Sequence, residues 1–289
     1  MVHTIQPAFA IDDSSLLETD LTTCHLLVLV GNGSFTYAVF NPLQRKFLAI
    51  KSYHFAPKTL AIEDLEMIEH IFDADKILLT AFKQVLLAFD TTVTSMVPES
   101  LFTPSLRKEY LHLVQPETIH EAIMYDHVDA LGLVQVYAID KDVLGFLRKE
   151  FSTDKIVHVN TALLNSYIKS VDIHRYDGAA FIDIQANQFV ITVFKSGKLL
   201  LQQSFSYQSG LDVVYYIINS LRQLKLNEKL VKIKLGGSLS GDSLIYAELN
   251  KFVPDIDWLD RPSGILYLSN MLELPSHHFQ NLFSLALCV

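Results

Sequence analysis

The sequence predicts a two-lobed α/β protein in which each lobe is built from a mixed β-sheet and helices. Three observations predict this class. Half of the residues are hydrophobic, strand-like and helix-like segments alternate, and one order of segments occurs twice along the chain. Only 19% of the residues are charged, which excludes an intrinsically disordered chain. The 289 residues suffice for two domains of ordinary size.

The first copy of the repeated order begins with three short apolar runs and continues with a helical pattern. The runs cover residues 26–30, 35–40 and 47–53. β-Branched and aromatic residues fill the runs, and Asn32-Gly33 and Pro42 mark turns, so we predict a three-stranded meander. The helical pattern consists of Leu60, Ile62, Leu65, Ile68 and Ile71. Its spacing predicts an amphipathic helix after the meander.

The second copy repeats this order about half a chain later. Its apolar runs cover residues 179–184, 189–194 and 199–205, with turns at Gln185-Ala186-Asn187 and Ser196-Gly197. The helical pattern that follows consists of Leu211, Val214, Ile217, Ile218, Leu221 and Leu224. Asp64 and Asp212 lie early in the two predicted helices, where a carboxylate suits the helix dipole.

The remaining segments predict further strand–helix pairs. We predict strands at residues 131–139, 155–159 and 231–235, and helices at residues 141–151, 161–169 and about 242–252. Strand–helix–strand order implies parallel pairing, so each half should be a meander extended by parallel strands. We predict an N-terminal lobe over residues 1–175, with an inserted α/β subdomain at about residues 103–175, and a C-terminal lobe over residues 176–289.

The repeated order resembles the ribonuclease-H-like unit, which is duplicated in the superfamily of actin, sugar kinases and heat-shock ATPases. The chain is most similar to a bacterial family of uncharacterised actin-like proteins, distantly similar to pilus-assembly and type II secretion members. Residues 277–287 (HHFQNLFSLAL) resemble the end of those proteins. We therefore expect a duplicated ribonuclease-H-like (actin-like ATPase) fold with two lobes and mixed sheets.

The resemblance implies a site for ATP and magnesium in which the first hairpin turn of each copy approaches the phosphates. A strand-end Asp would hold the metal through water, and a neighbouring Gly would let the backbone come close to the phosphates. The first turn, Gly31-Asn32-Gly33, has the glycine without the carboxylate. The second has Asp183 but carries Gln185 at the glycine position. Asp183 is the candidate magnesium ligand; the alternative is a solvated carboxylate beside a turn.

A third element resembles the adenosine loop of the superfamily. Gly236-Gly237-Ser238 follows a predicted strand and opens the turn into the helix predicted at 242–252. A side chain at either glycine would then occupy the space of the flat adenine ring. The alternative is an ordinary glycine-rich turn between strand and helix, which α/β proteins use without a ligand.

The sequence lacks the motifs that are typical of several other functions. The net charge is −9 and the basic residues are scattered, so we expect no nucleic-acid partner. The chain has no G-x-x-x-x-G-K-[ST] phosphate loop, no G-x-S-x-G nucleophile elbow and no recognisable general base of a sugar kinase. Neither the histidine pair at 277–278 nor the group His120, Glu121, Asp126 and His127 has the spacing of a known metal or catalytic motif.

The sequence also indicates where the protein is expected to work. No apolar run approaches the roughly 18 residues of a membrane span, and residues 1–10 do not resemble a secretory signal. We therefore expect a cytoplasmic protein without a transmembrane segment.

Because neither phosphate turn is complete, we predict an actin-like module that is non-hydrolysing or binds nucleotide weakly and acts through protein partners. The alternative is a magnesium-dependent ATPase or kinase with a divergent active site. The oligomeric state stays open.

Overall fold

A computed structural model describes residues 5–31, 33–55, 61–116, 119–153, 155–170, 172–239 and 241–289, with the side chains of residues 61–63 excepted. The chain forms two compact units. Unit 1 comprises Met1–Ala162, Ser263–Glu273 and Ser284–Val289, and unit 2 comprises Leu163–Pro262 and Leu274–Phe283. The lobe boundary and the inserted subdomain predicted from the sequence stay predictions.

The described residues contain fourteen strands. They are β1 (Phe9–Asp12), β2 (His25–Gly31), β3 (Ser34–Asn41), β4 (Lys46–His54), β5 (Gln84–Phe89), β6 (Thr94–Pro98), β7 (Glu121–Val128), β8 (Leu133–Asp140), β9 (Ile156–His158), β10 (Gly178–Ile184), β11 (Gln188–Lys195), β12 (Lys198–Ser206), β13 (Val231–Gly237) and β14 (Ile256–Trp258).

Nine α-helices lie in the same described residues, together with short 3₁₀ turns. They are α1 (Ala61–Ala74), α2 (Arg107–His112), α3 (Lys141–Phe151), α4 (Val159–Tyr167), α5 (Asp172–Arg175), α6 (Gly210–Gln223), α7 (Leu244–Leu249), α8 (Ser269–Leu272) and α9 (Gln280–Leu285). Within the described part of the chain, none of the helices combines the length and apolar character needed to cross a bilayer.

The large sheet of unit 1 has six strands in the order β1-β4-β3-β2-β5-β9. β2, β3 and β4 form the predicted antiparallel meander, and β5 and β9 continue it in parallel. Side chains on both faces of β2 and β3 are buried, which explains why these strands read as continuous apolar runs rather than as alternating patterns. Ile68 and Ile71 of α1 and Leu147 of α3 pack in the core beneath the sheet.

Unit 1 also contains a small sheet, made of three antiparallel strands in the order β6-β8-β7. Leu111 of α2 covers it and joins Val97, Val134 and Val136 in a separate apolar core. The small sheet is thus a layer with its own packing, and it carries Asp126 and His127 on β7.

The sheet of unit 2 repeats the design, with five strands in the order β12-β11-β10-β13-β14. β10, β11 and β12 form the second predicted meander, and β13 and β14 run parallel to β10. The helix α6 begins at a capping box. The side chain of Ser209 accepts a hydrogen bond from the N–H of Asp212, and the side chain of Asp212 accepts one from the N–H of Ser209. The two predicted meanders and the helix after each are therefore confirmed.

The predicted helix at 242–252 is shorter in the structure, where α7 covers Leu244–Leu249. It starts late because the side chain of Ser243 caps it by accepting a hydrogen bond from the N–H of Tyr246. Gly236 and Gly237 are the last residues of β13, and six residues of the sequence separate them from α7.

Candidate functional site

In unit 1 the first candidate turn joins β2 to β3. Gly31 pairs with Ser34 at the end of the two strands. Gly33 has φ 71°, the left-handed conformation that glycine adopts at little cost in a tight hairpin. Asn32 lies outside the described residues.

A carboxylate that the sequence analysis missed lies beside this turn. Asp90 directly follows β5, the parallel neighbour of β2, and its N–H donates to the carbonyl of Val30 at 2.8 Å. A Cβ atom placed on Gly31 would lie 4.0 Å from the Cβ of Asp90. The carboxyl ends of parallel strands meet at one edge of a sheet, so β5 brings an acid to the position where the first turn lacks one.

The same geometry restricts what residue 31 can be. A Cβ on Gly31 would lie 2.6 Å from the hydroxyl oxygen of Ser34. That contact is closer than van der Waals contact allows, although the Ser34 hydroxyl can rotate away.

In unit 2 the second candidate carboxylate is buried. Asp183 is 4% exposed and lies in register with Gly236 on the neighbouring strand β13. Its Oδ2 accepts a hydrogen bond from Nε2 of Gln185 at 3.0 Å, whereas Oδ1 has no hydrogen-bond partner among the described residues. Burial raises the pKa of the Asp183 carboxyl above its ordinary value, because desolvation disfavours the charged form. The alternative of a solvated carboxylate beside a turn is therefore wrong.

Gln185 connects the two strand ends of the site. Residues two apart on an extended chain face the same side, so the Gln185 amide reaches Asp183, and its Oε1 accepts a hydrogen bond from the hydroxyl of Ser238 at 3.2 Å. Its backbone is held as well, by the carbonyl of Gln188 at 2.8 Å and the hydroxyl of Tyr207 at 2.5 Å. A fixed polar side chain therefore lies where the resemblance expects a glycine.

Packing within unit 2 explains why residues 236 and 237 are both glycines. A Cβ on Gly236 would lie 2.4 Å from Cδ1 of Leu259, and a Cβ on Gly237 would lie 2.1 Å from the carbonyl oxygen of Ile184. Gly237 also has φ 89°, and the N–H of Ser238 donates to that same carbonyl at 2.7 Å. Close packing of β13 against β10 and Leu259 thus accounts for both glycines.

An aromatic stack lies beside the loop that follows the glycine pair. The rings of Tyr246 and Trp258 stack at 5.2 Å, and those of Trp258 and His277 at 4.2 Å. A Cβ on Gly241, within the loop, would lie 3.7 Å from Trp258. Nε2 of His277 lies 2.7 Å from the carbonyl of Leu239, and burial lowers the pKa of its imidazole. His277 therefore serves as a neutral packing group that fixes the loop.

The lysines of β13 face carboxylates. Lys232 pairs with Asp255 and with Asp257, the latter at 2.6 Å. Lys234 pairs with Asp172 at 3.1 Å and with Asp260 at 3.2 Å. The positive charges of this strand are thus matched by acids within unit 2, and they add little attraction for a phosphate.

Comparison with known proteins places this architecture in a fold family. A protein of Bacteroides thetaiotaomicron with an actin-like ATPase fold and unknown function superposes with a TM-score of 0.78 at 18% identity, over 93% of this chain and 97% of that one. The PilM–PilN type IV pilus biogenesis complex gives a TM-score of 0.61 at 13% identity, over 91% of this chain and 98% of that one. No curated protein matches.

These likenesses confirm the predicted actin-like ATPase fold and the predicted distant similarity to a pilus-assembly protein. Their sequence identity to this chain is too low to assign an activity to it. The model of one family, described as a protein of unknown function (DUF3822), matches residues 13–256, most of the chain, and the chain therefore belongs to the DUF3822 family.

Proposed function

We propose that this protein is an actin-like module that does not hydrolyse ATP, binds nucleotide weakly or not at all, and acts by binding other proteins. The observation that carries the proposal is the Gln185 side chain, which is hydrogen-bonded to both Asp183 and Ser238. It binds one oxygen of the one carboxylate that the second turn retains.

The chemistry of magnesium supports this proposal. A hydrated magnesium ion needs an ionised carboxylate in contact with water, but Asp183 is 4% exposed and its pKa is raised by burial. Its one hydrogen-bonded oxygen already faces the Gln185 amide. The residues present in unit 2 do not fit a metal–phosphate site, and phosphoryl transfer depends on such electrostatic stabilisation.

Exposed apolar residues support the protein-binding part of the proposal. Between β6 and β7, next to the small sheet, four large apolar side chains are at least 60% exposed: Leu101, Leu113, Val114 and Ile119. The four lie within residues 101–119 of the sequence, and contiguous exposed apolar patches are typical of surfaces that bind other proteins. PilM, a likeness in fold alone, was solved in complex with PilN.

Asp90 favours the alternative, a divergent magnesium-dependent ATPase. It lies at the strand end beside Gly31 and could substitute for the carboxylate that the first turn lacks. This alternative needs Asp90 to act on a metal, so its signature is an activity that depends on that residue.

One set of measurements separates the two proposals. ATP turnover and nucleotide binding by calorimetry, with magnesium, would be compared for the wild type, Asp90→Asn, Gln185→Gly and the control Asn187→Gly, an exposed residue of the same turn. We expect no turnover in any of them, and tighter binding only in Gln185→Gly. Wild-type turnover that Asp90→Asn abolishes would establish the ATPase instead.

A further inference from the structure

We propose that Glu99, His127 and Asp129 form a binding site for one divalent transition-metal ion such as Zn²⁺. We call these three residues the loop cluster. They lie at one end of the small sheet of unit 1, and each contributes one ligand atom, an imidazole nitrogen or a carboxylate oxygen. The three atoms lie within 4.8 Å of one another.

Strand pairing brings the loop cluster together. Glu99 directly follows β6, His127 is the next-to-last residue of β7, and Asp129 begins the 3₁₀ turn Asp129–Leu131 that leads to β8. The register of the antiparallel sheet pairs both Pro98 and Val128 with Leu133. The N–H of Glu99 also donates to the carbonyl of Gly132 at 2.9 Å. Both loops are therefore held together at the backbone before any metal binds.

The imidazole of His127 is oriented toward the carboxylates. Its ring makes edge contacts with Tyr125 at 5.8 Å and Phe102 at 6.2 Å between centroids. Its Nδ1 lies 3.3 Å from Oε1 of Glu99. An ion with bonds of about 2.0–2.2 Å to nitrogen and oxygen in tetrahedral geometry would hold its ligand atoms roughly 3.4 Å apart, and the separation of His127 and Glu99 already fits this.

Charge balance favours a dication. The loop cluster places two carboxylates near each other beside one imidazole. A divalent ion offsets both, and water can complete its coordination because the side chains of Glu99 and His127 are about half exposed.

The ligand types indicate which ion should bind. One imidazole nitrogen and two carboxylate oxygens suit zinc and the late first-row metals, whereas magnesium prefers oxygen ligands and retains its water. The site would thus bind Zn²⁺ or Ni²⁺ with higher affinity than Mn²⁺, and would not bind Mg²⁺ measurably. The proposed metal site involves no residue of the candidate nucleotide turns, so it can be tested independently of the proposed function.

The test is calorimetric titration of the chelator-treated full chain with Zn²⁺, and separately with Mg²⁺. The variants are His127→Ala, Glu99→Gln and Asp129→Asn, with His120→Ala as the control because His120 is another exposed histidine near the small sheet. Co²⁺ absorption in the visible range provides a second reading of the ligand set. Thermal melts without metal check that each variant folds.

We expect one zinc per wild-type chain, no heat with magnesium, and unchanged binding in His120→Ala. Loss of any one ligand should weaken zinc binding by about 10-fold or more, since even changes behind the ligands weaken metal sites by 10- to 100-fold. Glu99→Gln keeps the size of the side chain, so it tests the site even if His127→Ala disturbs packing. No zinc uptake by the wild type at millimolar metal, or a loss in His127→Ala with full affinity in both carboxylate variants, would overturn the proposal.

Discussion

The buried acid Asp126 offers a sharp test of how this fold is stabilised. Asp126 lies on β7 and is 8% exposed. Its carboxylate accepts hydrogen bonds from the hydroxyl of Tyr137 at 2.9 Å, the N–H of His158 at 2.7 Å and the hydroxyl of Thr161 at 2.8 Å. Burial nevertheless raises the pKa of Asp126 to about 6, against hydrogen bonds and the nearby His127 that lower it.

The histidine of the same network is perturbed in the opposite direction. His158 is fully buried on β9. Its Nδ1 lies 3.0 Å from the N–H of Asn160 and 3.2 Å from the amide nitrogen of Gln135, and its Nε2 lies 3.0 Å from the carbonyl of Thr91. This pattern suits a neutral ring protonated on Nε2. Burial lowers the pKa of His158 to about 4.

The signs of the two effects can be worked out from proton counts. From about pH 4 to pH 6 the folded protein holds a proton on Asp126 and none on His158. The unfolded chain holds the reverse, because the ordinary pKa values are about 3.9 for Asp and 6.5 for His. Both states bind one proton, so the pair adds almost no pH dependence to the free energy of unfolding in this range.

Replacing Asp126 should reveal the pH dependence of the free energy of unfolding that the two groups together cancel. In Asp126→Asn the wild-type penalty for ionising a buried acid disappears. That penalty develops between about pH 4 and pH 6 and corresponds to a shift of roughly two pKa units, about 3 kcal/mol. The variant should therefore gain about 3 kcal/mol relative to the wild type as the pH rises from 4 to 7, whatever its stability at pH 4.

Urea denaturation at half-unit steps of pH would measure this difference. Asp129→Asn is the control, since it removes an exposed carboxylate three residues away, and its difference from the wild type should show no such gain. An Asp126→Asn difference that stays constant within about 0.5 kcal/mol from pH 4 to pH 7 would refute the reasoning.

Three further changes follow from the same contacts. Gly237→Val should destabilise unit 2 by more than about 1 kcal/mol, because its Cβ would meet the carbonyl of Ile184 at 2.1 Å and φ is 89°; an unchanged melting temperature would contradict this. Ser209→Ala should cost about 1 kcal/mol through loss of the capping box, measured in urea against the exposed control Gln208→Ala. Asp183→Asn should gain stability relative to the wild type as the pH rises through the carboxyl range, because burial raises the pKa of Asp183; a flat difference would show that the charge is not buried.

The fold could be predicted from the sequence wherever local pattern and tertiary packing agree. The meanders at β2–β4 and β10–β12 are built from buried apolar runs separated by turn residues, and both signals lie within a few residues of the strands they define. β1 and β14 were not predicted, because edge strands of three or four residues bury few side chains and carry almost no pattern.

The site could be predicted only in part, because its decisive contacts are long-range. Gln185 could be recognised as a departure from glycine, but its partner Ser238 is 53 residues away. Asp90 was missed because β5 was not predicted, although its apolar run QVLLAF was a usable signal. The burial of Asp183 depends on packing around the β10–β13 pair, and no local pattern around the residue indicates that burial.

Under the proposed function, the two halves of the repeat explain why fold and chemistry separate in this protein. A meander needs only apolar residues of suitable size, and many substitutions satisfy that requirement. A metal–phosphate turn needs one ionised carboxylate, one close backbone and access for water together. Unit 1 has the close backbone at Gly31, with its acid on another strand at Asp90. Unit 2 has the acid at Asp183, which is buried and has one oxygen hydrogen-bonded to Gln185. Each half satisfies the requirement for folding, and under the proposed function each retains only part of what phosphate chemistry requires.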